Sequence, residues 1–273
     1  MLDYKIGIIA DVHAGSRYAV FPEDFVTKEG NELRINEGQR QILNSWNDFV
    51  SKLKSRNINA LFLLGDMVQG KNPKEFGIDL MTPDLDEQKS AVYELLSPFE
   101  KDIREGKITL AVVSGSGYHE AGDTRIHKDI TNYLTGIQDA PSFYGLVANL
   151  QIRSKILNIQ HGSSNAYMYR SSIMEREEIF TRVAEAEGRL PHIDAYIKGH
   201  WHRFEVLKTA HMLMLQVPGW SAFIPWRGAM KGYARFQPDI GGCVLTITGY
   251  NDMVVEEFLY PCPNIADAVK GIE

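Results

Sequence analysis

The sequence predicts an α/β fold in which two mixed β-sheets pack face to face and helices cover them on the outside. Short apolar runs rich in β-branched residues, such as Ile6–Ala10 and Ala60–Leu64, are typical of buried strands. Longer segments carry apolar residues at helical spacing, as in Gln39–Lys54. Strand–helix–strand units followed by strand-rich sequence favour two packed mixed sheets with helices outside.

The predicted elements alternate between strand and helix at first and become mostly strands after residue 204. The predicted strands are Ile6–Ala10, Ala60–Leu64, Ile108–Val113, segments within Phe143–Gln160, Ile193–Lys198, Phe204–Lys208, Met212–Val217, Cys243–Thr248 and Val254–Leu259. The predicted helices are Gln39–Lys54, Gln88–Ile103, Asp123–Leu134 and Met174–Glu187. The segment Gln69–Asp86 is polar and rich in glycine and proline, so we predict a long loop there.

We expect one domain over residues 1–273, because neither an internal repeat nor a linker-like tract interrupts the chain. The motifs described below fall within residues 5–205. We expect the strands at 204–260 to complete the second sheet.

Composition narrows the class of protein. A net charge of -6 and a pI near 5.8 argue against a general coat of positive charge for nucleic acid, although a local basic groove stays open. Two cysteines in 273 residues do not make a disulfide scaffold. No run approaches the roughly 20 apolar residues of a membrane helix. We therefore expect a soluble cytoplasmic protein without a membrane partner.

Acidic and histidine side chains follow several predicted strands. Because strand ends of an α/β protein converge on one edge of the sheet, these side chains are expected to meet there. The motifs, in chain order, are Asp11-Val12-His13, Gly65-Asp66, His119-Glu120, His161-Gly162 and Gly199-His200-Trp201-His202.

This mixture of ligand types points to particular metals. Carboxylates with imidazoles suit Mn²⁺, Fe or Zn²⁺ better than Mg²⁺ or Ca²⁺, which prefer oxygen ligands alone. The scarcity of cysteine excludes thiolate sites. We expect two divalent ions, with Mn²⁺ favoured over Fe, Zn²⁺ and Ni²⁺. A pair of such ions can activate a water and neutralise a phosphoryl group.

Taken together and in this order, the motifs resemble the five signatures of the calcineurin-like metallophosphoesterases over about residues 5 to 205. The resemblance implies a four-layer αββα sandwich with two mixed sheets, a dinuclear centre and a phosphate-ester substrate. It implies that Asp66 bridges the two ions and that His119 is the catalytic residue beside the phosphate, with Glu120 orienting its ring. The implied ligands of the first ion are Asp11, His13 and His202, and those of the second are His161 and His200.

The third motif departs from the family pattern. Tyr118 precedes His119, where the family has an asparagine whose oxygen binds the second ion. Another alignment places Gly115-Ser116 at that position, with Gly117-Tyr118 inserted. The Ser116 hydroxyl would then be a weak metal ligand, or a water would replace the asparagine. We hypothesise that the second metal site is weaker than in the family.

The segment after the second predicted strand and three further histidines have other interpretations. Gly65–Asn72 nearly matches a phosphate-binding P-loop, but Asn72 lacks the hydroxyl that holds Mg²⁺ and Pro73 follows it where a helix would begin. The histidines without a motif are interpreted as structural or surface residues, and they are His127, His192 and His211.

The sequence favours a phosphodiester substrate, with nucleic acid or a nucleotide as one form of it. The segment Trp220–Phe236 interleaves aromatic residues with positive charge, including Arg227 and Lys231, and such segments can stack bases and contact phosphates. A surface loop or an oligomer contact explains this segment equally well. The alternatives are a phosphomonoesterase or protein phosphatase, and a catalytically impaired binding protein of the same fold. The sequence does not indicate an oligomeric state.

Overall fold

The computed structural model of the chain describes residues 2–73, 76–119, 125–162, 170–222 and 237–263. Its strands are β1 (Tyr4–Ile9), β2 (Asp24–Val26), β3 (Glu32–Arg34), β4 (Ala60–Leu64), β5 (Thr109–Val113), β6 (Val147–Ile152), β7 (Lys155–Gln160), β8 (Ala195–Lys198), β9 (Glu205–Lys208), β10 (Leu213–Gln216), β11 (Ile240–Ile247) and β12 (Met253–Tyr260). Its helices are α1 (Glu37–Ser55), α2 (Leu85–Arg104), α3 (Arg125–Thr135) and α4 (Arg170–Ala186).

Ten of these strands form two five-stranded mixed sheets. The first has the order β12-β11-β1-β4-β5, in which β1, β4 and β5 are parallel and β11 and β12 are antiparallel to their neighbours. The second has the order β6-β7-β8-β10-β9, with β7, β8 and β10 parallel between antiparallel edge strands.

The expectation that all strands in 204–260 complete the second sheet was wrong for two of them. Strands β9 and β10 join the second sheet, but β11 pairs with β1 in the first sheet and β12 pairs with β11. The pairing places Ile8 opposite Cys243, so the end of the chain closes onto its beginning. Such long-range pairing leaves no local trace in the sequence, since strand propensity does not encode the partner.

Three apolar clusters define four layers. The sheets face each other through side chains such as Phe62 and Leu245 from the first sheet and Leu157 from the second. The opposite face of the first sheet packs on α1, α2 and α3, where Phe49 and Leu96 are fully buried. A smaller cluster joins the second sheet to α4. The fold is therefore a four-layer αββα sandwich.

Alternation along the strands explains this layering. In β4, Phe62 and Leu64 belong to the cluster between the sheets, while Leu61 and Leu63 belong to the cluster under the helices. Every residue of β4 is buried, as expected for a parallel strand covered on both faces. Continuous apolar runs are therefore the sequence signal of this central layer.

The helices begin at recognisable caps. The side chain of Asn36 accepts a hydrogen bond from the backbone of Gln39, whose side chain returns the contact, which completes a capping box at α1. Asp84 caps α2 by accepting from the N–H groups of Asp86 and Glu87. The helix after the loop therefore starts at Leu85, and no helix starts at Lys71, which argues against the P-loop interpretation. Among helices in the described part of the chain, none is both long and apolar enough to cross a bilayer.

One feature was not predicted. Strands β2 and β3 form a two-stranded hairpin of three residues each, with mostly exposed side chains. Strands this short carry too little periodicity to be recognised.

Candidate metal centre

The carboxyl ends of parallel strands from both sheets bring the motif residues together. Asp11 and His13 follow β1, Asp66 follows β4, His161 follows β7 and His200 follows β8. Within the described residues, three groups of side chains each place one ligand atom per residue within 4.8 Å of the others. The groups are Asp11–His13–His202, Asp66–His161–His200 and His13–Asp66–His119.

The first group is built around a buried carboxylate. Asp11 is fully buried, and its Oδ1 lies 3.4 Å from Nε2 of His202 and 3.7 Å from Nε2 of His13. The two imidazole Nε2 atoms are 3.0 Å apart. The other oxygen, Oδ2, accepts a hydrogen bond of 2.7 Å from the backbone of His200. Oδ1 has no hydrogen-bond partner among the described residues. A carboxylate oxygen and two ring nitrogens therefore converge on one point.

The second group centres on Asp66, which is 1% exposed. Its Oδ2 lies 2.9 Å from Nε2 of His161, and that nitrogen is 3.1 Å from Nδ1 of His200. Nδ1 of His161 is 2.7 Å from the carbonyl oxygen of Leu64. Because a carbonyl only accepts, Nδ1 carries a proton, and Nε2 faces the Asp66 carboxylate.

Asp66 connects the two groups. Asp66 lies in one group with His161 and His200 and in another with His13 and His119. His13 is also a member of the group around Asp11. The position of Asp66 between the groups is fixed by Ser116, whose backbone N–H donates to Oδ1 at 2.7 Å and whose hydroxyl lies 3.1 Å from Oδ2. A carboxylate held in this way can face two cations at once.

The backbone at these positions is strained. Of eleven non-glycine residues with positive φ in the described chain, five belong to the three groups, and they are Asp11, His13, Asp66, His200 and His202. Left-handed conformations of residues other than glycine cost free energy and concentrate at functional sites. The fold therefore holds the ligand side chains in an orientation that the isolated backbone disfavours.

Glycines make room for the carboxylates. A Cβ on Gly115 would lie 2.1 Å from Oδ1 of Asp66, and a Cβ on Gly199 would lie 2.7 Å from Oδ2 of Asp11. Gly65 has a φ of +84°, and its Cβ would lie 2.5 Å from Cα of Gly115. The loops after β4, β5 and β8 can approach each other this closely only without side chains at these positions.

The electrostatics differ between the groups. Burial lowers the pKa of His13, and neighbouring His119 lowers it further, to about 4. Burial also acts to lower the pKa of His161, but the charges of Asp66 and Asp11 outweigh it and raise the value to about 9. Burial would raise the pKa of both carboxyls, yet the facing imidazoles hold it well below the usual range: His202 and His161 act on Asp11, and His161 acts on Asp66. The centre thus attracts positive charge to a buried place.

The donor set fits divalent cations. Ligand atoms that lie about 2.1 Å from one ion are separated from each other by roughly 3.0 to 3.4 Å. Separations of about this size occur in both groups, at 3.0 Å between His13 and His202 and 2.9 Å between His161 and Asp66. Oδ1 of Asp11, which has no hydrogen-bond partner in the part of the chain that the structure describes, is an atom that a cation would satisfy.

His119 lies beside the groups. Its Nδ1 is 2.8 Å from the carbonyl oxygen of Gln69, and its Nε2 is 4.0 Å from Oδ2 of Asp66. The ring also meets the His13 ring edge-on at 4.4 Å between centroids. The preceding Tyr118 donates from its hydroxyl to Oδ1 of Asn72 at 2.5 Å. Sequence reasoning missed Gln69, because a backbone acceptor leaves no signal in residue type.

Several predicted residues lie outside the described residues. They are Glu120 and the substrate-binding candidates Arg227 and Lys231. Trp220, the first residue of the aromatic and basic segment, is fully buried and packs against Trp46 at 4.9 Å between ring centroids. The interpretation of Trp220 as a base-stacking residue was therefore wrong, because it belongs to the apolar core.

The remaining histidines lie apart from the three groups. His127 is fully buried, and its Nε2 accepts from the backbone N–H of Met67 at 3.2 Å, which supports the turn that carries Asp66. His192 is exposed and lies 3.3 Å from Glu185, and His211 is exposed. These positions agree with the interpretation of all three as structural or surface residues.

Comparison with known proteins gives matches among solved structures only. No family profile matches the sequence, and no curated protein matches it. An archaeal phosphodiesterase is 12% identical, with 93% of this chain and 99% of that chain covered and a TM-score of 0.45. Vps29 from Entamoeba histolytica, described as complexed with zinc, is 13% identical over 94% of this chain and 99% of its own, with a TM-score of 0.44. YfcE, an E. coli phosphoesterase, is 10% identical over 93% and 99%, with a TM-score of 0.44.

Proposed function

We propose that this protein is a divalent-metal-dependent phosphoesterase. The observation that carries the proposal is the position of Asp66, whose carboxylate lies in one group with His161 and His200 and in another with His13. Such a shared carboxylate between two clusters of imidazole nitrogens is suited to a pair of cations. When bound, two divalent ions would supply positive charge for a phosphoryl group and make a water more acidic.

In this proposal each residue has a defined role. Asp11, His13 and His202 would hold one ion, and His161 and His200 would hold the other, with Asp66 as a ligand for both. Ser116 fixes the Asp66 carboxylate, and its hydroxyl oxygen would be a weak ligand for the second ion. Mn²⁺ is the preferred ion, ahead of Fe, Zn²⁺ and Ni²⁺, because mixed oxygen and nitrogen ligands suit it.

His119 is the proposed catalytic acid. Its Nδ1 proton points to the carbonyl oxygen of Gln69, so the proton that the ring gains and loses sits on Nε2, which faces the ligand groups. As water attacks phosphorus and the bond to the leaving oxygen breaks, Nε2 of the protonated ring donates its proton to that oxygen. The carbonyl of Gln69 stabilises the positive ring before the transfer.

We further propose a phosphodiester substrate, with nucleic acid or a nucleotide as the candidate form. Arg227 and Lys231 are the proposed contacts to substrate phosphates. Neutral substitution of both is expected to lower nucleic-acid cleavage and reduce its salt dependence, because each lost phosphate contact removes counterion release. Unchanged cleavage and salt dependence would leave these residues without that role.

The test is hydrolysis of bis-p-nitrophenyl phosphate and p-nitrophenyl phosphate with Mn²⁺ and after chelation, in wild type and Asp66→Asn. We expect Mn²⁺-dependent turnover of the diester that disappears in the variant. Turnover of the monoester alone would replace the proposal with a phosphomonoesterase. No turnover of either substrate by metal-loaded protein would favour a binding protein that has lost catalysis.

A further inference from the structure

The peptide group between Gln69 and Gly70 is held from both sides. Its carbonyl oxygen lies 2.8 Å from Nδ1 of His119, and its N–H donates to Oε1 of Gln88 at 2.8 Å. Both contacts belong to one rigid plane, because the peptide bond does not rotate. The orientation of the acceptor for His119 is therefore tied to the side chain of Gln88.

Gln88 is a buried residue of α2 whose side-chain amide makes three hydrogen bonds to backbone groups. It is 0% exposed, and its Nε2 donates to the carbonyl oxygens of Gly70 at 3.0 Å and Thr82 at 2.8 Å. Two carbonyls and one N–H surround the amide, so only one placement of its oxygen and nitrogen satisfies all three. A hydrophobic side chain of the same size would leave these groups unpaired in the interior.

The surrounding backbone leaves no space for another arrangement. Gly70 has a φ of +75°, and a Cβ there would lie 2.0 Å from the carbonyl oxygen of His119. A Cβ on Gly15 would lie 2.5 Å from Cδ of Gln88. Gln88 therefore sits between the loop that follows His13 and the loop that contacts His119.

We propose that Gln88 is a positioning residue for His119 and acts through the Gln69–Gly70 peptide. By holding the N–H of Gly70, it orients the carbonyl of Gln69 toward Nδ1 of His119. This contact keeps the proton of the neutral ring on Nδ1 and leaves Nε2 unprotonated on the side of Asp66. Hydrogen bonding at the N–H also strengthens the carbonyl as an acceptor, since the two ends of a peptide polarise together. The catalytic part of this inference rests on the proposed function, whereas the tautomer part does not.

The first test is nuclear magnetic resonance of zinc-loaded protein with ¹⁵N-labelled histidine, at a pH where the His119 ring is neutral. Signals of His119 are assigned by their loss in His119→Asn. In wild type we expect a single tautomer with the proton on Nδ1, and in Gln88→Met we expect a mixture of both tautomers. An unchanged single tautomer in Gln88→Met would overturn the proposal. If Gln88→Met does not fold, Gln88→Asn replaces it, because the shorter side chain withdraws the amide by one carbon. A mixture of tautomers is again expected, and an unchanged single tautomer would again overturn the proposal.

Gln39 provides the matched control. It is a helix residue, 1% exposed, and its Nε2 donates to the carbonyls of Ser16 and Ala19. It therefore fixes the loop that follows His13 by the same chemistry, and it makes no hydrogen bond to the Gln69–Gly70 peptide among the described residues. Gln39→Met is expected to lower thermal stability as Gln88→Met does, yet to leave the His119 tautomer unchanged. Loss of the single tautomer in both variants would show a general effect of loosening the fold and would contradict the proposal.

The second test asks whether Gln88 acts through His119. With Mn²⁺ and the diester, Gln88→Met is expected to lower kcat about tenfold with KM within about twofold, because misplacing a catalytic group affects the chemical step. In a His119→Asn background the same change should have no further effect. An undiminished loss in that background would overturn the proposal. Absence of turnover in wild type would refute the proposed function instead, and the tautomer measurement would still decide the role of Gln88.

Discussion

The two ligand groups of the centre have similar residues but opposite electrostatics. In the first, Oδ1 of Asp11 has no hydrogen-bond partner among the described residues, and burial with His119 nearby keeps the pKa of His13 at about 4. In the second, Asp66 already accepts from Ser116, and the pKa of His161 is raised to about 9 by Asp66 and Asp11 after burial is overcome. At neutral pH the first group therefore holds a neutral His13 beside a buried carboxylate, whereas the second holds a protonated His161 that offsets the charge of Asp66.

This difference predicts an order of metal binding. A cation entering the first group satisfies an unpartnered carboxylate oxygen and displaces no proton from His13 at neutral pH. A cation entering the second group must first remove the proton of His161, which costs free energy below pH 9. The sequence predicts that the second site binds its ion more weakly because an asparagine ligand is missing. The proton on His161 is a second physical cause of the same weakness.

The largest expected effect comes from removing the carboxylate of Asp66, which belongs to the second group and also lies beside His13 of the first. Asp66→Asn is expected to lower kcat for bis-p-nitrophenyl phosphate by about a thousandfold or more, since it removes charge next to both ions. Asp11→Asn should abolish binding of the tighter ion. Asp194→Asn is the control, because Asp194 precedes β8 and pairs with Lys155 away from the centre. Equal metal content in Asp66→Asn and wild type would contradict a role for Asp66 in holding the ions.

The next effect concerns the stability of metal-free protein against pH. His161 has a folded pKa of about 9, above its unfolded value near 6.5, so its contribution is complete below pH 6.5 and is lost as pH rises to 9. His13 has a folded pKa of about 4, so stability falls as pH drops from 6.5 to 4. We expect maximal stability near pH 6.5 and losses on the order of 3 kcal/mol on each side.

Denaturant unfolding of metal-free protein at several pH values measures this profile. His161→Gln should remove the alkaline loss, and His211→Gln, at an exposed position, should leave the profile unchanged. Zinc should also remove the alkaline loss, because the ion replaces the proton of His161. If His161→Gln still loses stability at alkaline pH, another group causes that loss. The proton on His161 would then no longer explain a weaker second metal site.

The smallest effect is expected at Ser116. Ser116→Ala removes the hydroxyl that lies 3.1 Å from Oδ2 of Asp66 but keeps the backbone N–H contact. We expect roughly fivefold weaker binding of the second ion and unchanged binding of the first, because one hydrogen bond contributes about 1 kcal/mol. Calorimetric Mn²⁺ titration measures both constants. Ser114→Ala is the control, since the buried Ser114 hydroxyl has no partner among the described residues. An equal loss of Mn²⁺ affinity at both sites in Ser116→Ala would contradict a role of Ser116 specific to the second site.

Much of the fold was predictable because its signals are local. The continuous apolar run of Ala60–Leu64 predicts a buried parallel strand, and the acid after it predicts a side chain at the sheet edge. The partner of β11 was not predictable, because its pairing with β1 spans the length of the chain. Trp220 was misinterpreted because an aromatic beside basic residues fits a core as well as a binding surface.

The residue types of the metal centre could be predicted from the sequence. The hydrogen bonds and backbone conformations that hold these side chains could not. Asp and His after strands identify the side chains that converge, as with Asp11 and His200. The contact of His119 with a backbone carbonyl, and the hold of Gln88 on the same peptide, depend on backbone geometry that no residue type encodes. Positive φ at Asp66 is likewise a property of the folded loop.

The most direct test counts metal ions per chain by elemental analysis while free Mn²⁺ is raised at pH 7, with diester turnover measured on the same samples. We expect two ions that bind in separate steps, with turnover appearing only as the second site fills. Two ions that both survive dialysis would contradict the weaker second site. Full turnover in the presence of a chelator, with no metal bound, would contradict the metal-dependent phosphoesterase itself.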